Sequence, residues 1–115
     1  MGGSILIVED QQDLMQVYCE YIEAEFPNMK CVEGLTYVEA MLAINDITNG
    51  ADSSLAVALI DHQLDAGNTG TEIVRQIKLT SPDTAVFLLT GKATPQMAAI
   101  ADAEGATVLW KPIRL

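Results

Sequence analysis

The stretch Leu55-Ala56-Val57-Ala58-Leu59-Ile60-Asp61 decides how this chain folds. Six apolar residues run unbroken into an acid, and the pattern then gives way to His62, Gln63, Asp65, Gly67, Asn68 and Gly70. An apolar run of that length, closed by turn residues, reads as a strand buried on both faces of a parallel sheet. Asp61 then stands where the strand leaves the core, at the carboxyl edge where open α/β sheets bind ligands. On this stretch alone, an aspartate that merely caps a turn explains the pattern equally well.

Working outward, the same form recurs. Ile5-Leu6-Ile7-Val8 runs into Glu9-Asp10, a short strand covers 29–33, Ala85-Val86-Phe87-Leu88-Leu89 closes on Thr90-Gly91, and Thr107-Val108-Leu109-Trp110 ends in Lys111-Pro112. Between them lie helical patterns. Leu14, Val17, Tyr18, Tyr21, Ile22 and Phe26 recur at helical spacing before Pro27. Thr36-Tyr37-Val38-Glu39 has the capping-box form and opens a second helix toward Gly50, and Thr69-Gly70-Thr71-Glu72 opens a third that Ser81-Pro82 ends. Thr94-Pro95 places a cap before a first-turn proline, and Gly105 closes this fourth helix. The result is βαβαβαβαβ with short connections, hence a parallel sheet with right-handed crossovers and helices on both faces.

At 115 residues and half hydrophobic, the chain makes one domain, expected over 4–115 once the glycine-rich start is set aside. No apolar run approaches a membrane span and the start has no signal-peptide form, so a cytoplasmic protein is expected. Sixteen acids against six Lys and Arg give a formal charge of −10, which argues against nucleic-acid binding. Cys19 and Cys31 lack metal-motif spacing and read as buried free thiols.

The informative feature is which polar residues end the strands. Glu9 and Asp10 end the first, Asp61 the third, Thr90 the fourth and Lys111 the fifth. A parallel sheet gathers all of them at one edge, while the second strand ends in nothing comparable and suits an outer position. Three gathered carboxylates repel unless a cation neutralises them, and Mg²⁺ takes one or two carboxylates with waters and a phosphate oxygen. Lys111 supplies a point charge for a phosphoryl oxygen, Thr90 a hydroxyl, and Gly91 space. Such a set suits phosphoryl transfer with Asp61 as nucleophile.

These motifs resemble those of response-regulator receiver domains, the phosphoacceptors of two-component signalling. The resemblance rests on Ile-Leu-Ile-Val-Glu9-Asp10, Leu-Ile-Asp61 with Leu64, Leu-Leu-Thr90-Gly91 and Trp110-Lys111-Pro112, in order across nearly the whole chain. The texture of residues 61–67 and 89–94 is similar to receivers attached to hybrid histidine kinases. The resemblance implies a flavodoxin-like, doubly wound five-stranded sheet in the order 2-1-3-4-5. It makes Asp61 the phosphorylated aspartate and Glu9, Asp10, Asp61 and the Gln63 backbone carbonyl the Mg²⁺ ligands. Thr90 becomes the switch hydroxyl and Lys111 its ion-pairing partner, with Gln63 and Lys92 tuning dephosphorylation. The implied partner is a histidine kinase or phosphotransfer protein. The implied activity is self-catalysed phosphotransfer with slow autodephosphorylation rather than turnover of outside substrates.

The chain also departs from that pattern. Val108 stands where receivers often carry an aromatic reporter, Asp65 stands where many have proline, and the stretch from Asp61 to Gly70 is one residue longer than the receiver pattern. Only Ile113-Arg114-Leu115 follows Lys-Pro, so the last helix is expected to be missing or truncated. The sheet face it would cover then needs a symmetric copy, an exchanged element or another protein, unless the chain is simply less stable. Trp110 is given a packing role. His62 borders the site rather than entering it, since neighbours on a strand face opposite ways.

Other chemistries fit less well. Thr90-Gly91-Lys92 fails as a phosphate-binding loop because Val86 replaces the required glycine, and one histidine makes a zinc site improbable. An aspartyl phosphatase wants a general acid at position 63, which is Gln. The alternative that stays open is a receiver-like interaction or dimerisation module that works without phosphorylation.

Overall fold

The computed structural model describes residues 3–50, 54–62, 70–91 and 95–110. In chain order these form β1 (Ser4–Val8), α1 (Gln12–Glu25), β2 (Lys30–Gly34), α2 (Tyr37–Asn49), β3 (Leu55–Asp61), α3 (Gly70–Thr80), β4 (Ala85–Thr90), α4 (Pro95–Ala103) and β5 (Thr107–Trp110). All five strands are parallel, in the order β2-β1-β3-β4-β5. That is the expected flavodoxin-like doubly wound sheet. The last helix expected to be missing would follow Trp110, where residues 111–115 lie outside the described residues.

The burial of β1 explains its sequence. It pairs with β2 on one side and β3 on the other, and all five of its residues are buried. Leu6 and Val8 face one way, into a core with Ala58 and Ile60 of β3, Ile44 of α2 and Ile73, Val74 and Ile77 of α3. Ile5 and Ile7 face the other way, against Met15, Tyr18 and Cys19 of α1. Each fully buried aliphatic side chain contributes roughly 1.5–3 kcal/mol relative to exposure.

The second face is less fully covered. Val57, Leu59, Phe87 and Leu109 alternate on the middle and outer strands and are only partly buried. Trp110, at the end of the edge strand β5, is 63% exposed. Among the described residues, the packing role expected for it is therefore met only in part.

Local signals place the helix ends. Thr36 caps α2, its hydroxyl accepting from Glu39 N at 3.1 Å. Glu39 reaches back to accept from Leu35 N at 3.0 Å, completing the expected box one residue earlier than the usual donor. Gly105 has φ +81°, and the Ala106 N–H donates to Ala101 O at 2.8 Å, so α4 ends as expected on a left-handed glycine. The caps expected at Thr69 and Thr94 lie outside the described residues.

Cys19 and Cys31, read from sequence as free thiols, form a disulfide between α1 and β2. The reason is tertiary. Cys31 stands beside Ile5 in the sheet register, on the face that α1 covers.

Candidate functional site

The strand ends bring the expected acids together. Glu9 and Asp10 follow β1, and Asp61 closes β3 on the neighbouring strand. Glu9, Asp10 and Asp61 each offer a carboxylate oxygen, and these atoms lie within 4.8 Å of one another. Glu9 is fully buried, Asp61 is buried and Asp10 is exposed. The group thus opens to solvent on one side, as an entry path for an ion requires.

Backbone bonds hold this corner. Glu9 N donates to Gly34 O at 3.1 Å, so the carboxyl end of β2 supports the acidic segment. Sequence reading assigned the end of β2 no part in the site, since a backbone carbonyl leaves no trace in residue type. Gln11 N lies 3.5 Å from Glu9 Oε2, directing that carboxylate back toward the start of α1.

On the other side of Asp61, His62 N donates to Leu89 O at 2.9 Å, and Gly70 N donates to His62 O at 2.8 Å. Gly70 is the second site residue that sequence reading missed. A Cβ built there would meet the Asp61 carbonyl oxygen and lie 2.8 Å from Ile60 Cγ2. Its visible signal was a glycine directly before the apolar stripe of α3, read there only as part of a cap.

Thr90 is buried and ends β4, one residue beyond Leu89, the register partner of Asp61. It therefore stands at the same sheet edge as the acids. Its partner across to β5 is Trp110, and Val108 packs against the main core. Lys111, Gln63 and Lys92, the other residues expected at the site, lie outside the described residues.

The donor set fits a hard divalent cation. Close carboxylates, one of them fully buried, are costly to keep ionised together without a neutralising charge. Arg75 pairs with Glu104 at 2.8 Å, Lys78 donates to Thr84 O at 3.1 Å, and Lys30 lies at the amino end of β2. All-oxygen donors of this kind suit Mg²⁺ or Ca²⁺ rather than zinc.

Among the described residues, no helix is long and apolar enough to cross a membrane. No curated protein sequence matches the chain. Solved structures do. A CheY-like response regulator receiver domain protein from Methanospirillum hungatei JF-1 superposes with a TM-score of 0.83 at 22% identity, covering 99% of this chain and 85% of that one. A response regulator receiver domain protein from Clostridium thermocellum gives 0.83 at 26% identity, covering 97% and 84%. The beryllofluoride-activated NtrC4 receiver domain dimer, solved in solution, gives 0.78 at 25% identity, covering 96% and 85%. The family model for the response regulator receiver domain matches residues 5–115. With the sheet order, the clustered acids and this match in agreement, the chain belongs to the response regulator receiver domain family of two-component signalling.

Proposed function

We propose that Asp61 accepts a phosphoryl group from the phosphohistidine of a partner kinase or phosphotransfer protein, and that this switches a protein-interaction surface. The observation that carries the reading is the grouping of Glu9, Asp10 and Asp61 carboxylates within 4.8 Å at the carboxyl edge of the sheet. Glu9, Asp10, Asp61 and the Gln63 carbonyl would hold Mg²⁺, which when bound offsets negative charge on the phosphoryl oxygens.

The chain's own residues do the rest. The Asp61 carboxylate forms the new O–P bond in line as the donor's N–P bond breaks, and the imidazole leaves with the electron pair. Burial of Asp61 limits water around the acyl phosphate. The Thr90 hydroxyl donates to a phosphoryl oxygen, and Lys111 pairs with the same group. Repositioning of Thr90 on occupancy would carry the signal outward along β4. Slow self-hydrolysis returns the domain to rest, which makes it a phosphoacceptor rather than an enzyme acting on outside substrates. The functional unit is 4–115, a receiver of the hybrid histidine kinase type acting in the cytoplasm.

Labelling with acetyl phosphate tests the assignment. Wild type is expected to gain a phosphoryl group in a Mg²⁺-dependent way, and Asp61→Asn to gain none. Equal labelling of the variant would overturn it. Failure of the wild type to take either acetyl phosphate or beryllofluoride would favour an interaction module independent of phosphorylation.

The reading extends to self-association. A second copy would cover the partly buried Val57, Leu59, Phe87 and Leu109, and a relative of 25% identity is a receiver dimer. Sedimentation across a wide concentration range should show a rising average mass, increased by beryllofluoride. A constant monomer would rule this out.

A further inference from the structure

Among the described residues, one covalent tie joins two elements of the fold: Cys19 on α1 to Cys31 on β2. Their Cα atoms are 5.9 Å apart, within the range a disulfide spans without moving backbone. Cys19 is buried against Ile5, Ile7 and Met15, whereas Cys31 is only partly buried.

The same two elements hold the acidic corner. α1 begins at Gln12, directly after the Asp10–Gln11 step, and Gly34 at the end of β2 accepts the hydrogen bond from Glu9 N. The cross-link therefore completes a ring that runs from Glu9–Asp10 along α1 to Cys19, across to Cys31, and along β2 to Gly34 and back to Glu9. With the bond made, α1 is held against sliding along β2. With it broken, Glu9 keeps its bond to Gly34 O, but α1 itself lies on β2 by packing without a covalent tie.

We propose that Cys19–Cys31 is a reversible thiol–disulfide site whose oxidation state sets the cation affinity of the Glu9, Asp10 and Asp61 corner. The coupling rests on reading those acids as a cation site. The co-reactant is a small-molecule disulfide of the glutathione class. The half-buried Cys31 thiolate attacks one sulfur of it, forming a mixed disulfide and releasing one glutathione thiolate. The Cys19 thiolate then attacks the Cys31 sulfur, forming the internal bond and releasing the second. Two protein thiols lose two electrons, one glutathione disulfide gains them, and the two thiol protons pass to the released thiolates. Two glutathione thiols reverse the exchange.

Mg²⁺ demands near-ideal octahedral ligand geometry, so a small displacement of Asp10 weakens binding. Full-length protein equilibrated in glutathione buffers tests this, with the disulfide scored by intact mass after thiol alkylation and Mg²⁺ affinity measured by calorimetry. The oxidised form is expected to bind Mg²⁺ about fivefold or more tightly than the reduced form. Cys31→Ser should match reduced wild type and ignore glutathione, whereas Cys19→Ser should stop at a glutathione adduct on Cys31 without the gain in affinity, with circular dichroism confirming that both fold. Equal affinities in the two states, or a pair that stays dithiol in every buffer, overturn the proposal and leave the acidic site standing. Absence of Mg²⁺ binding in both states, with the disulfide formed, removes the cation-site reading and the coupling with it.

Discussion

A side chain at position 70 would press on the backbone oxygen of Asp61, the proposed phosphoacceptor. Gly70→Ala places a Cβ against Asp61 O and between Ile60 Cγ2 and Leu88 Cδ1, at 2.8 and 3.0 Å. Those neighbours are backbone and fully buried side chains, so relief requires the start of α3 to move. A cost of about 1–3 kcal/mol is expected in urea unfolding. Gly105→Ala makes a useful comparison, because its φ of +81° gives about 1–2 kcal/mol of strain at the α4–β5 turn instead. Mg²⁺ affinity should fall in the first variant and hold in the second. Tyr37 offers a different residue-scale handle. Burial pushes its phenol above the ordinary 10.0, and the hydrogen bond and charge of Glu72 on α3 push the same way. The folded state thus favours the neutral phenol. Its contribution is fully present below about pH 10 and is lost as pH rises through the higher folded value. Thermal unfolding of wild type and Tyr37→Phe should show a constant gap near neutrality that narrows only in strong alkali.

Helix ends show how far local pattern reaches at the scale of elements. Thr36→Ala removes the acceptor for Glu39 N and should cost about 1 kcal/mol. Arg75→Ala removes an exposed ion pair to Glu104 and should cost less than about 1 kcal/mol, with the difference fading in high salt. Denaturant midpoints of both variants at low and high salt check the ranking. β1, β3 and β5 match their sequence-derived limits because their apolar runs are unbroken and end in polar residues. β2 is shifted one residue from its expected 29–33, since Lys-Cys-Val-Glu-Gly on an edge alternates too weakly to fix its ends. The clustering of Glu9, Asp10 and Asp61 was legible because parallel strands present their ends at one edge. The Gly34 carbonyl, the closeness of Gly70 to Asp61 and the Cys19–Cys31 bond were not. Each depends on how one element lies on another, which residue type does not encode.

On the scale of the whole molecule, the two sheet faces are unequal. One carries a core built from α2, α3 and α4, and the other a small cluster under α1 beside partly exposed strands. The sheet order has a further consequence, for the sequence of events in folding. β1 lies inside the sheet, and its partners begin at Lys30 and Leu55, so no neighbouring hairpin can form ahead of long loop closure. β1 and β2 can pair as soon as α1 turns the chain back. The acidic corner must wait, because Glu9 and Asp61 meet only after β3 has docked beside β1, and Asp61 is registered by Leu89 only after β4 has arrived. A half-made sheet therefore has no cation site to occupy. An ion held at the proposed site would act late, as a seal on a centre already assembled, and not as a template around which the chain first gathers.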